Sequence, residues 1–230
     1  MKEQLIKICE SYQRGNDEPV VIEEPYIPYV PKNWNRVLVL SESQNLSAKK
    51  YVDELRAKNT DGRINRLYEW HDKVGVLPWD DGTLKLAVEA AFGLKEDETA
   101  VSNAVPWSLV SKSGKKNMNP TDALIKSAAE FWKEMMPVLK PERIITVGKI
   151  ARTTIGRAGY RDIRIPLRSA SSANISRISG MFDTKDLLQR YPEVQTVVKK
   201  HPEWVNKFKV NKVFFACHAV SVVRGLKTIK

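Results

Sequence analysis

The sequence predicts an α/β fold of three layers, α/β/α, around a short, mainly parallel four-stranded sheet, and three observations carry that prediction. Val37, Leu38, Val39 and Leu40 form an unbroken branched apolar run, which suits a strand covered on both faces. Residues 99–103 and 163–167 are further short apolar runs, and all three end in small polar side chains. Segments with helical spacing separate the runs, so right-handed crossovers between parallel strands gather those polar ends along one edge. Ligands of open α/β sheets bind at that edge.

Taken in order, Leu5, Ile8, Cys9 and Tyr12 recur at helical spacing, and Gly15-Asn16 is a stop signal. Pro19, Pro25, Pro28 and Pro31, interleaved with aromatics, read as an extended arm laid over the domain or offered to a partner. The expected organisation is therefore a helix and Pro-rich arm over residues 1–35, packed on an α/β domain with a C-terminal extension over residues 36–230. After the first strand, residues 48–58 read as a helix with Val52 and Leu55 inward, ended by Asn59-Thr60-Asp61-Gly62. Residues 63–81 mix Arg63, Arg66, Tyr68, Trp70, His71, Lys73 and Trp79. That composition suits base stacking and phosphate contact, or equally a loop whose aromatics fill the core margin.

Leu84, Val88, Ala91 and Phe92 mark the next helix, between Gly82 and Gly93. Beyond the second strand, the polar loop with Lys112, Gly114, Lys115 and Lys116 is either a phosphate contact or a solvated surface. Thr121 can cap a helix whose Leu124, Ile125, Ala128, Phe131, Trp132, Met135 and Met136 form one apolar stripe, with Pro137 and Pro141 bracketing its end. Ile144, Ile145 and Val147 make the third strand before Gly148, and residues 163–167 make another. In the tail, Leu187, Leu188 and Tyr191 precede a helix starting near Pro192, and residues 213–217 read as one more buried strand running into His218 and Ser221.

Composition narrows the function classes. With 230 residues, 42% of them hydrophobic, the chain can bury the core of a full domain. Lys and Arg outnumber Asp and Glu by 38 to 27, a net charge of +11 that favours a polyanionic partner. No apolar run reaches the ~18 residues of a membrane span, and the charged start lacks a signal-peptide core, so a cytoplasmic or nuclear protein without a membrane partner is expected. Cys9 and Cys217 are too few for a Cys-only iron–sulfur site, and His71, His201 and His218 show no zinc spacing. No cofactor or metal is expected. The Gly-rich loops of NTPases and dinucleotide enzymes are absent as well.

At the strand ends the sequence resembles the uracil-DNA glycosylase superfamily, as a divergent member without an iron–sulfur cluster. That family has a strand ending in a water-activating motif, a strand ending in a base-reading Asn, a helix followed by Pro, a strand and Gly, and then a Ser-containing loop that enters DNA. Here those pieces correspond to residues 41–45, 101–107, 119–150 and 167–174, and the similarity spans roughly residues 36 to 176. Its most specific part runs from Asn119-Pro120 through Pro141 to Gly148 and Ala151.

Cleaving an N-glycosidic bond leaves positive charge on the sugar and negative charge on the departing base, so a site needs a carboxylate near the anomeric carbon and donors at the base. Glu42 is the only acid in the first motif; the resemblance makes it the water-orienting group, and a cap or salt bridge is its structural alternative. Asn103 offers both a donor and an acceptor, and the resemblance makes it the base reader; capping a turn is the alternative. Ser43, Gln44 and Asn45 would line the base pocket and Trp107 would wall it. The resemblance matches Ser171 to the DNA-entering loop, with Ser169 beside it in the substrate site and Arg168 as a phosphate contact. His218 to Ser221, followed by Arg224-Gly225, is similar to the same loop and competes for the role.

The family's His and Pro are replaced by Ser169 and Ala170, and Ser41, Gln44 and Asn45 also depart from its first motif. These changes remove a donor to the leaving oxygen and open the pocket. They direct the expectation from plain uracil toward a modified pyrimidine, including a cytosine with a bulky 5-substituent, an activity suited to defence against phages with modified DNA. The expected protein is a monomeric, monofunctional, metal-independent DNA glycosylase acting on duplex DNA with a flipped base or on single-stranded DNA. The alternative is a catalytically inactive, glycosylase-like nucleic-acid-binding protein.

Overall fold

The structure is a computed structural model that describes residues 1–15, 17–43, 49–69, 77–109, 119–170, 175 and 180–228. Four parallel strands, β1 (Val37–Ser43), β2 (Ala100–Val105), β3 (Arg143–Val147) and β4 (Arg164–Leu167), form one sheet in the order β2-β1-β3-β4. The fold is α/β, as the alternation of apolar runs and helical spacing predicts. The register of β1 on β2 runs without a bulge from Leu38↔Ala100 through Ser41↔Asn103 to Ser43↔Val105, and β1 meets β3 from Val37↔Arg143 to Leu40↔Thr146. Ile144 N–H donates to Ile163 O at 2.9 Å, tying the start of β4 to β3.

The chain forms two compact units, one from Met1–Leu77 with Thr99–Pro166, the other from Pro78–Glu98 with Leu167–Lys230. In the first, α1 (Lys2–Ser11), α2 (Lys49–Arg56) and α3 (Thr60–Glu69) precede β2, α6 (Asp122–Leu139) links β2 to β3, and α7 (Lys149–Arg157) links β3 to β4. Both last crossovers run in the same direction along the sheet, so right-handedness sets α6 and α7 on one face. There Leu38, Leu40, Ala100, Ala104 and Ile144 bury against Phe131, Trp132, Met135 and Met136 of α6 and Ala151 and Ile155 of α7. Each large side chain fully buried here contributes about 1.5–3 kcal/mol. Thr121 caps α6 by accepting Leu124 N–H at 3.2 Å, and Trp132 Nε1 donates to Ala104 O at 2.8 Å, fixing the helix on the sheet. Pro137 lies inside the last turn of α6 rather than beyond it; the helix ends at Leu139 through Lys140, which takes the left-handed conformation.

The arm is part of the same core. Tyr26 and Ile27 are fully buried, Tyr12 OH donates to Ser127 O at 2.6 Å, and Tyr29 exchanges backbone hydrogen bonds of 3.0 and 3.1 Å with Val101. That antiparallel bridge covers the outer edge of β2. The Asn59-Thr60-Asp61-Gly62 signal follows the end of α2 and also opens α3. Asn59 Oδ1 accepts Gly62 N–H at 2.9 Å, which makes Asn59 the cap of α3. Arg63 is held in a forked pair with Glu24 and Arg66 bonds Glu54 and Glu69 at 3.0 Å each, so neither guanidinium is kept for a ligand.

The second unit is helical: most of α4 (Leu77–Asp80), then α5 (Thr83–Phe92), α8 (Thr184–Arg190), α9 (Pro192–Lys200) and α10 (Lys209–Thr228). Residues 213–217, expected as a strand, lie inside α10. Val213, Ala216, Cys217 and Val220 are buried at i, i+3, i+4 and i+7, a helical stripe that the short apolar run conceals. Lys212 is buried in this unit and its Nζ donates to Asp81 O and to Trp204 O, while Gly82, at φ 88°, lets Trp204 approach where a Cβ would meet its carbonyl at 2.6 Å. Trp79, 2% exposed, belongs to this core. No helix among the described residues is long and apolar enough to cross a membrane.

Candidate active site

The strand order creates a switch point between β1 and β3. The chain leaves β1 toward β2 on one side and leaves β3 toward β4 on the other, and the carboxyl ends of strands at such a point are where open α/β sheets bind ligands. Glu42, the penultimate residue of β1, stands there half-buried. Its Oε1 accepts the N–H of Ile150, in the first turn of α7, at 3.4 Å. Gly148, between β3 and α7, has φ 93°, and a Cβ on it would collide with the Glu42 carboxylate. Only glycine combines that conformation with that approach. The turn after β3 and the first turn of α7 therefore orient Glu42, using amides that a helix start leaves without partners.

Side chains alternate along each strand, and paired residues of neighbouring parallel strands share a face. Ser41, Ser43, Asn103 and Val105 thus lie on one face of the sheet, and Leu40, Glu42, Ser102, Ala104 and Thr146 on the other. Asn103 is 1% exposed and its Nδ2 has no hydrogen-bond partner among the described residues. Ser41 Oγ, Ser102 Oγ and Thr146 Oγ1 are buried in the same unpartnered state. A buried unpaired donor costs about 1–3 kcal/mol, so four such groups around the last turns of three strands mark a region whose polarity serves something other than the core. Thr146 and Ser102 were legible in principle as polar residues inside runs that otherwise read as buried on both faces.

The sheet brings Ser41, Glu42, Ser43 and Asn103 to its carboxyl end; of the third polar stretch, residues 168–170 belong to the second unit and residues 171–174 lie outside the described residues. It does not aim Glu42 and Asn103 into one side of the sheet; a ligand touching both must lie across the strand ends. Trp107 is not a wall of this site. It is 1% exposed, its Nε1 donates to Glu23 O at 2.9 Å, and its ring packs on Tyr12 and Phe131 at 5.7 and 5.9 Å. The apolar β2 end feeds it straight into the core. Gln44, Asn45, Lys112, Lys115, Lys116 and Ser171 lie outside the described residues.

Arg168 and Ser169 belong to the second unit, where Arg168 is exposed and its backbone N–H donates to Nε2 of His218 at 3.2 Å. The two stretches that compete for the DNA-entering role are thus joined by a hydrogen bond. Burial, reinforced by the charge of Arg168, holds the His218 imidazole below its ordinary pKa, in keeping with an acceptor Nε2. Ser221 is engaged with Tyr191 OH at 2.8 Å and donates to Cys217 O at 2.9 Å. Burial pushes the Cys217 thiol up to about 12 and raises that of Cys9 further, so neither serves as a nucleophile at neutral pH. Among the described residues no three His, Cys, Asp or Glu side chains are grouped to hold a metal ion. Compared with known proteins, the chain matches no family model and no curated protein.

Proposed function

We propose that the protein is a DNA glycosylase that hydrolyses the N-glycosidic bond of a flipped, uracil-like or modified pyrimidine. The observation that carries this reading is the carboxylate of Glu42, held at the sheet's switch point by Gly148 and the first turn of α7. Placed beside an anomeric carbon, it offsets oxocarbenium charge and orients the attacking water. Asn103 brings an unpaired Nδ2 donor to the same end of the sheet, where it would stabilise the negative charge of the departing base. The net charge of +11 supplies the salt-dependent attraction to DNA. The resemblance of the strand-end motifs to the uracil-DNA glycosylase superfamily points the same way, and the altered first motif favours a base with a bulky 5-substituent.

The test is excision from DNA panels carrying uracil, hypoxanthine, mismatched thymine and 5-modified cytosines, glucosylated phage DNA among them, followed by alkaline cleavage of abasic sites. Wild type is expected to break one substrate, and Glu42→Gln to slow that reaction by about a hundredfold or more. One observation favours a second reading. Glu42 is bonded to backbone and lies on the face opposite Asn103, as a purely structural cap would. A glycosylase-like protein that only binds nucleic acid would bind the panel and leave no abasic sites.

A further inference from the structure

Three arginines, Arg152, Arg161 and Arg164, stand along α7 and the run into β4, and Asp162, which lies among them in sequence, forms no ion pair with them among the described residues. Among the described residues no Asp or Glu pairs with Arg152, Arg161 or Arg164, whereas the adjacent Arg157 bonds Asp122 at 2.7 Å. Two of these side chains reach one stretch of α7, the helix that carries Arg152. Arg164 Nη1 donates to Arg152 O at 2.8 Å, Arg161 Nε donates to Gly156 O at 3.4 Å, and a Cβ on Gly156 would stand 2.9 Å from Arg164 Nη1 and 3.8 Å from Arg161 Nε. Glycine inside a helix costs about 1 kcal/mol against alanine, and here the space it leaves is occupied by cations. Arg164 Nε is buried with no partner among the described residues. Its burial first, then the charges of Arg152 and Arg161, hold the Arg164 guanidinium below its ordinary pKa.

The carbonyls of α7 account for one bond from Arg161 and one from Arg164. They leave most of each donor fork unused, and the side chain of Arg152 has no bond at all among the described residues. Like charges packed this way oppose folding unless an anion joins them. We propose that Arg152, Arg161 and Arg164 form a binding site for a phosphate group, whose oxygens match forked guanidinium donors. The site stands on these arginines and is independent of the glycosylase reading. Its phosphate comes from a nucleic-acid backbone or from the free ion, and the two sources separate experimentally.

Thermal unfolding of the full chain in chloride and in inorganic phosphate at equal ionic strength, beside anisotropy of a labelled oligonucleotide across a salt series, tests the site with wild type, Arg152→Gln and Gly156→Ala. Phosphate is expected to raise the wild-type midpoint and to leave that of Arg152→Gln unmoved. In chloride, Arg152→Gln should unfold at or above the wild-type temperature, because repulsion is relieved. Gly156→Ala displaces the Arg164 fork at constant net charge and should lose the phosphate response equally. A backbone source adds a drop of about tenfold in oligonucleotide affinity and a salt slope shallower by about 0.7–0.9 per lost contact; a free-ion source leaves the oligonucleotide unaffected. A wild-type midpoint indifferent to phosphate, with oligonucleotide affinity equal in all three proteins, overturns the proposal. So does an Arg152→Gln protein that unfolds well below wild type in chloride, which would make the arginine a support of the fold.

Discussion

At the carboxyl end of the sheet the charged group is tied down and neutral groups are left unpaired; along α7 and β4 the backbone is bonded and the charges are left unpaired. Glu42 is fixed by Gly148 and Ile150 while Asn103, Ser41, Ser102 and Thr146 keep buried atoms without partners among the described residues. Arg161 and Arg164 bond carbonyls of α7, and no carboxylate pairs with either or with Arg152 among the described residues. A fixed carboxylate among idle donors suits chemistry on a bound group, since the site costs no reorganisation when charge develops. Idle cations on a rigid helix suit holding an anion. One helix, α7, carries both features: its first turn holds Glu42, and its carbonyls bond Arg161 and Arg164.

The largest effect should come from Gly148→Ala. It places a Cβ against the Glu42 carboxylate and forces a non-glycine residue to φ 93°, at a cost of about 2–4 kcal/mol in denaturant unfolding, with loss of any excision. Stability close to wild type would show that Glu42 is not held there. Asn103→Leu sharpens the other half of the comparison. If Nδ2 is idle in the free protein, an apolar side chain of similar size holds or raises stability while excision falls; a loss of about 1–3 kcal/mol would reveal a structural partner. Thr146→Val, whose hydroxyl is equally buried and without a partner among the described residues, should hold or raise stability and leave excision unchanged, which separates a working donor from an idle one.

A smaller effect concerns His218 in the second unit. Its folded pKa lies below the unfolded value near 6.5, so its contribution is complete above that pH and is lost as pH falls through the folded pKa. Unfolding midpoints measured from about pH 7 down to about pH 5 should decline more steeply for wild type than for His218→Gln. Parallel declines would remove His218 from the account.

Most of the first unit was legible. Branched apolar runs set the strands and a 3.6-residue stripe set α6, because each pattern is long enough to reveal its period. An expected strand that is helical and a helix start that went unpredicted share a cause. In α10 the run from Val213 to Cys217 is too short to distinguish a strand from a buried helix, and the confirming residues, Val220 and Lys212, lie outside it. Around Asn59 the same polar residues serve as a stop for one helix and a cap for the next, and only the Gly62 hydrogen bond decides. At the site, residue types and strand ends were legible, since alternation fixes them. That Glu42 and Asn103 take opposite faces depends on the β1–β2 register, a long-range property that no local pattern encodes. The fate of Trp107 was hidden likewise, because its Glu23 partner lies in the arm.

The most direct test of the central claim counts alkali-labile sites and bound DNA in the same samples, for wild type and Glu42→Gln. The account predicts abasic sites from wild type on one class of pyrimidine, a loss of about a hundredfold or more in the variant, and equal binding by both. Binding without abasic sites in either protein, or equal excision by both, would contradict it.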